Sequence, residues 1–217
     1  MIIHIAIDGP AGAGKSTIAK KIAERLGITY IDTGAMYRAL TWKLLNETID
    51  LSNEKLIINI TKKTKMEIDQ DNIFIDSQNL KDEIRKPLIS QNVSKVARIP
   101  EVRNIMVDIQ RKISQEKSIV MDGRDIGTHV LPNANYKFFL TASIDERAHR
   151  RAIELNKQGF KTNINDIREE IKQRDKIDTE RKASPLKPAK NAIIIDTTYK
   201  SINTIINEIM NIILKGG

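Results

Sequence analysis

Nine consecutive residues, GPAGAGKST from Gly9 to Thr17, combine the properties needed to hold a polyphosphate. They fill the pattern G-x-x-x-x-G-K-[ST] with Gly9, Gly14, Lys15 and Ser16. Gly9, Gly12 and Gly14, with Pro10, Ala11 and Ala13 between them, give a loop whose backbone N–H groups can converge on phosphate oxygens. A lysine at position 15 would reach the β- and γ-phosphates, and the Ser16 hydroxyl would ligate Mg²⁺. An apolar run over 2–7 precedes the loop and a helical pattern over 16–26 follows it, so the positive end of a helix would face the same phosphates. The implication is a nucleoside triphosphate site.

A second group of chemically able residues is Asp122-Gly123-Arg124-Asp125, which follows the strand-like Ser-Ile-Val-Met. A strand there delivers Asp122 to the sheet edge where the phosphate loop lies, and a carboxylate at that point can organise Mg²⁺ and its waters. Arg124 and Asp125 would project into the same cleft. A third group, Asp32-Thr33-Gly34-Ala35-Met36-Tyr37-Arg38, places Arg38 one to two turns into a helix at that edge. A guanidinium can hold a phosphate through paired hydrogen bonds, which an ammonium cannot. Finally, 145–190 carries thirteen Lys and Arg against nine Asp and Glu, with Arg147, Arg150 and Arg151 close together. Such a run is either a solvated helical face or a mobile segment that closes over a triphosphate.

The elements that must position these groups read as an α/β fold, a P-loop NTPase core with a parallel sheet flanked by helices. Strands are expected at 2–8, 28–32, 118–122, 136–141 and 192–196. Helices are expected at 16–26, at 35–46 with Met36, Leu40 and Leu44 on one face, and at 202–214 with Ile202, Ile205, Ile206, Ile209 and Ile213 apolar. The alternation breaks at 65–69 and 72–76, which read as an antiparallel hairpin turning at Gln70-Asp71. A helical pattern from Leu80 follows, interrupted at Pro87 and Pro100. The stretch 60–91 therefore reads as a small inserted subdomain at the sheet's ligand-binding edge. Gly159 should split the Arg-rich region into two helices, and 177–191, with Pro185 and Pro188, should be a long loop.

Composition narrows the function. The 217 residues suffice for one α/β domain with an insertion. Without cysteine there is no disulfide framework, thiolate metal site or cysteine nucleophile, which suits a cytoplasmic protein. No signal peptide and no apolar stretch of about 18 residues is apparent, so no membrane partner is expected. The net charge of +8 suits either nucleic acid or two polyanionic ligands. Aromatic residues are only 4 per cent and are not interleaved with the basic stretches, which argues against a single-strand stacking surface. His4, His129 and His149 are scattered, and His4 reads as structural.

GPAGAGKST, DTGAMYR, the Val102-Arg103 segment after Pro100, DGRDIGT, ERAHRR and Arg174…Asp178…Arg181 before Ala183-Ser184-Pro185-Leu186 occur in one order. Together they resemble the bacterial cytidylate kinases, nucleoside monophosphate kinases, over 3–214. The resemblance implies transfer of the γ-phosphoryl of ATP to CMP or dCMP with Mg²⁺. It implies a core, an inserted monophosphate-binding subdomain (60–91) and a helical lid (147–176), no nucleic-acid partner and a monomer. Ser94, Arg103 and Asp125 would recognise cytosine; Arg38 and Arg124 would hold the acceptor phosphate. Arg174, Asp178 and Arg181 would contact its sugar and phosphate side, with Thr33 and Tyr37 beside them. Lys15, Asp122, Arg124 and Arg181 would carry the catalysis.

A phosphate acceptor is already anionic and nucleophilic near neutral pH, so no general base is needed, in keeping with the scattered histidines. Alignment of two nucleotides and electrostatic stabilisation would lower the barrier. Two other readings stay open on the residues alone. One is a kinase of the same core acting on UMP or on an alcohol, for which Asp122 or Asp125 could act as base. The other is a P-loop switch or nucleic-acid-dependent NTPase, against which stands the lack of a guanine-reading Asn-Lys-x-Asp sequence.

Overall fold

A computed structural model describes residues 2–69, 72–80 and 83–215. Strand β1 (His4–Asp8) leads through the glycine loop into helix α1 (Lys15–Leu26), which Gly27 stops in the left-handed conformation. Strand β2 (Thr29–Asp32) runs straight into α2 (Thr33–Asn46), capped by the Asp32 carboxylate accepting from Ala35 N at 2.8 Å. Helix α3 (Glu54–Lys63) precedes β3 (Met66–Asp69), β4 (Asn72–Ile75) and β5 (Gln78–Asn79), a three-stranded antiparallel sheet. The hairpin read from sequence thus gains a third strand; its turn at 70–71 lies outside the described residues. The helical pattern from Leu80 is, within those residues, one 3₁₀ turn (Glu83–Arg85) before α4 (Pro87–Ala97) and α5 (Pro100–Ser114). Both prolines start helices rather than interrupt one, because the first helical turn needs no N–H donor and suits the fixed φ of proline.

Strand β6 (Ile119–Gly123) is buried throughout; a π-turn (Ile126–Val130) and β7 (Tyr136–Thr141) follow. Helices α6 (Ile144–Lys157) and α7 (Ile164–Glu180) form a hairpin joined around Gly159, then come β8 (Ile193–Asp196) and α8 (Ile202–Lys215). The long loop expected from 177 begins instead after Glu180. Ile177 to Glu180 stay helical, and the Arg181 N–H bonds the Ile177 carbonyl at 3.1 Å.

The large sheet has the order β2-β6-β1-β7-β8, and all its pairings are parallel. Alternation divides β1 between the sheet's faces. Ile5 and Ile7 join Phe138 and Leu140 under Ile18 and Ile22 of α1 and Ile205, Ile206, Ile209 and Ile213 of α8. Ala6 joins Ile31 and Met121 under Val107 of α5. Each buried isoleucine contributes up to about 1.5–3 kcal/mol against exposure. Ile202, expected on that stripe, is 45% exposed at the start of α8. A separate apolar cluster ties α2 (Met36, Leu40, Leu44) to Ile57 of α3, Ile73 and Ile75 of β4 and Val96 of α4. None of the described helices is long and apolar enough to cross a membrane. With both faces covered, the buried charged residues gather at the carboxyl ends of the strands.

Candidate active site

The glycine loop leaves β1 at the centre of the sheet and enters α1, as the pattern requires. At Gly9 the backbone has φ +147°, and a Cβ there would collide with the Leu140 carbonyl, so no other residue fits. Lys15 folds back over the loop, its Nζ donating to the Pro10 carbonyl at 2.9 Å, and is only 6% exposed. Burial, then the nearby charge of Arg124, pulls its ammonium down to about 7, while Asp122 acts the other way. This ammonium lacks anions that a polyphosphate would supply.

Asp122, at the end of β6, stands against the start of α1. Its Oδ2 accepts from Ser16 Oγ at 3.0 Å and its Oδ1 from Tyr30 Oη at 2.8 Å. Helix α2 adds Thr33, whose hydroxyl donates to the Asp122 carbonyl at 2.7 Å. Burial and the neighbouring Asp32 raise the Asp122 carboxyl to about 6. Among the described residues there is no cluster of three or more His, Cys, Asp or Glu able to hold a metal. One hydroxyl and one carboxylate are nevertheless a hard-oxygen set that fits Mg²⁺, which commonly completes its octahedron with phosphate oxygens and water.

Beside this pair opens a small cavity, partly open to solvent. All but one of the residues that the resemblance assigns to the monophosphate line it. Thr33 and Tyr37 come from α2, Ser94 from α4 and Arg103 from α5. Arg124 and Asp125 follow β6, while Arg174, Asp178 and Arg181 come from the end of α7. The exception is Arg38, whose Nη2 pairs with Asp32 Oδ2 at 2.9 Å. Burial would raise the Asp32 carboxyl, but Arg38 and the Ala35 N–H outweigh it and hold it below its ordinary range.

The cavity gathers four arginines, Arg103, Arg124, Arg174 and Arg181, against two aspartates. Arg103 donates to Asp125 and, at 3.1 Å, to the Ala97 carbonyl, while its guanidinium lies 5.4 Å from the Tyr37 ring centroid. Arg124 Nε donates to Asp178 Oδ2 at 2.9 Å, and Arg181 lies 3.7 Å from Asp178 and 3.9 Å from Asp125. Burial works against the Asp178 carboxylate, yet Arg124, Arg174 and Arg181 hold it below the usual range. Burial and then Arg124 bring Arg174 down to about 10. Tyr37 Oη, Arg103 Nε, Arg174 Nε and Arg181 Nη2 are buried without a hydrogen-bond partner. Each such group costs about 1–3 kcal/mol. Several clustered on one cavity mark a place shaped for a polar, anionic occupant.

A family model described as Cytidylate kinase matches residues 5–215. The chain belongs to the cytidylate kinase family. A relative named Cytidylate kinase from Alkaliphilus oremlandii is 56% identical over 214 residues, 99% of this chain and 98% of that one. Another of that name from Caldanaerobacter subterraneus is 53% identical over 215 residues, covering 99% and 96%. A solved structure of an uncharacterized protein from Eubacterium ventriosum aligns over 97% of this chain and 98% of that one. Its TM-score is 0.53 at 16% identity, a likeness of fold alone. As a member of this family the chain is a phosphotransferase with a P-loop core.

Within this kinase the three clustered arginines of α6 are not alike. Arg147 is buried, donating to Ala142 O at 3.0 Å and Ala11 O at 3.2 Å and pairing with Asp175 at 2.7 Å. Arg150 bonds Glu146 and both oxygens of Thr197, whose hydroxyl donates to Ala13 O at 3.2 Å. Of the three, only Arg151 reaches α4, bonding Ser90 Oγ at 3.2 Å. Two of these arginines brace the phosphate loop from behind, a role that their charge run does not reveal. Sequence reading also passed over Asp8 and Tyr30. Both Asp8 oxygens accept N–H groups, from Ile126 and Gly127 at 2.8 Å each, and so fix the turn after Asp125 to the end of β1. His4 is structural as expected, its Nε2 bonded to the Ser114 carbonyl at 2.9 Å.

Proposed function

We propose that this chain transfers the γ-phosphoryl group of ATP to CMP or dCMP, giving ADP and CDP or dCDP. The observation that carries this reading is the adjacency of two anion sites of different make. Asp122 touches Ser16 of the phosphate loop, and the next residues, Gly123 to Asp125, line the arginine-rich cavity.

In this reading the loop residues Gly9 to Thr17 hold the triphosphate, and Lys15 exchanges the Pro10 carbonyl for phosphate oxygens. Ser16 and Asp122 would hold Mg²⁺, which neutralises charge on the transferred group. Arg124, with Arg38 released from Asp32, grips the acceptor phosphate, and Arg174 and Arg181 add positive charge where the transition state gathers negative charge. Ser94, Arg103 and Asp125 offer the donors and acceptor that match cytosine's N4, N3 and O2 edge, with Tyr37 beneath Arg103. Asp178 keeps Arg124 and Arg181 aligned. No residue is required as general base, because the attacking atom is a phosphate oxygen.

We further take 60–91 as the acceptor-binding insert and 147–176 as the lid. Gln91 Nε2 donates to Glu170 Oε1 at 2.9 Å, and with the Arg151–Ser90 bond this supports closure of the one against the other. A coupled assay for ADP release with CMP, dCMP, UMP, AMP and an RNA oligomer tests the proposal. Turnover highest with CMP and dCMP is the expected result. Preference for UMP, or stimulation by RNA without a monophosphate, would overturn it.

A further inference from the structure

Arg147 stands between the two ligand sites rather than in either. Its guanidinium is 5% exposed and serves three masters at once: the end of β7 through Ala142 O, the phosphate loop through Ala11 O, and α7 through Asp175. The contact with the loop is tight. A Cβ on Gly12 would lie 3.0 Å from Arg147 Cβ, so the loop rests directly on the start of α6. A donor held on the outward-facing Ala11 carbonyl fixes the plane of the peptide joining Ala11 to Gly12, and so fixes where the Gly12 N–H points. On the other side, Asp175 follows Arg174 and precedes Asp178 by less than one helical turn, and both neighbours line the acceptor cavity. Asp175 Oδ1 is buried with no hydrogen-bond partner, so its link to the rest of the protein runs through Oδ2 and Arg147.

From this geometry we infer that Arg147 and Asp175 are positioning residues that make binding of the triphosphate and of the monophosphate interdependent. A triphosphate that orders the loop steadies Ala11 O and therefore Arg147, and Arg147 sets α7 so that Arg174 and Asp178 meet the monophosphate. The same steps run in reverse, and linkage requires that each ligand tighten the other by one factor. This inference rests on the donor and acceptor assignment proposed above and names the chain's own means of joining the two sites.

The test is calorimetric titration of the full chain with a non-hydrolysable ATP analogue plus Mg²⁺ and with CMP, each alone and in the presence of the other. In the unsubstituted protein each ligand should tighten the other equally, by about 5-fold or more. Asp175→Asn removes the charge but keeps the shape. It should bring that factor to about 1 to 2 while each ligand binding alone stays within roughly 3-fold of its original affinity. Arg147→Lys, which keeps a charge but cannot reach three acceptors, should act in the same direction, and thermal melting shows that each variant is folded. A purely structural role would weaken both ligands without changing the factor. That result, or an unchanged factor in folded Asp175→Asn, overturns the inference. Absence of CMP binding to the unsubstituted protein would instead overturn the kinase reading on which the inference stands, and both would fall together. Binding of both ligands with no mutual effect overturns the inference alone.

Discussion

In the proposed reaction the donor loop and the acceptor cavity both hold phosphate, with opposite materials. The loop is one unbroken stretch of backbone, set by glycines whose conformations leave no room for a side chain at Gly9. Apart from Lys15 and Ser16, the groups it offers are peptide N–H groups of its own backbone. The cavity draws side chains from α2, α4, α5, the end of β6 and α7, and its arginines lean on Asp125 and Asp178. Peptide N–H groups that surround a phosphate carry no information about the base, whereas the side chains of the cavity can. In the proposed reaction the donor site is therefore generic, and the acceptor site is specific and must rearrange its ion pairs to be filled.

The sharpest way to separate the two is Lys15→Ala. Turnover should fall by about 10²-fold or more, because a preorganised charge aimed at the transferred group is lost. CMP binding by titration should barely move; an equal loss of CMP affinity would show that the sites are not separate.

Next in size is Asp125→Asn. It leaves Arg103 without its buried counter-charge, takes from Arg181 one of two, and places an amide where the carboxylate accepts. kcat/KM for CMP should drop by roughly 10- to 10²-fold, in line with about 1–3 kcal/mol for an unsatisfied buried group. KM for ATP should hold, and use of UMP relative to CMP should rise because the amide can donate to uracil O4. Parallel loss on both substrates in steady-state kinetics would move Asp125 from base reading to scaffold.

Tyr30→Phe should have a smaller effect, a few-fold, since it deletes one hydrogen bond to Asp122 worth about 1 kcal/mol. A raised Mg²⁺ requirement with unchanged KM for CMP is the expected signature in a metal titration.

The least visible contrast is in stability rather than turnover. Burial pushes the Asp8 carboxyl up to about 7 from 3.8, against the N–H groups of Gly127 and Ile126. Between those values the folded protein holds more protons than the unfolded chain. The stability tied to Asp8 is therefore full below the unfolded value and is lost as pH rises through 7. Denaturation midpoints of the original protein should thus decline relative to Asp8→Asn as pH goes from about 4.5 to 7.5. A constant difference would mean that Asp8 does not titrate in this window.

These contrasts also explain what could be read from the residues alone. The donor site is contiguous, so spacing exposes it, and the strands that deliver Asp32 and Asp122 announce themselves by apolar runs ending in charge. The cavity is scattered from Thr33 to Arg181, and periodicity says nothing of Ser94 or Arg103, which only the family resemblance singled out. Tyr30 and Asp8 escaped because they act through other residues: in sequence each is one more position in a buried strand. Arg147 and Arg150 look like any charged helix face until the fold sets them against Ala11, Asp175 and Thr197. The end of α7 was misplaced because Ile177 to Glu180 lie in a polar stretch, whose tertiary setting keeps it helical to Glu180 and carries Asp178 into the cavity.

The sheet order sets a timetable for the nascent chain. β1 emerges first, yet its registers pair His4 with Ile119 and Ile5 with Tyr136. The glycine loop, so plain in sequence, therefore has no scaffold until β6 and β7 have left the ribosome, on the order of a hundred residues later, and loop closure over such distances is slow. Through that interval Ile5 and Ile7 stand open on an unpaired edge. The small antiparallel sheet and α3 to α5 are complete sooner, because their partners are close in the chain. Synthesis thus completes the small sheet and its helices while the core sheet that seats the glycine loop still waits for its middle strands.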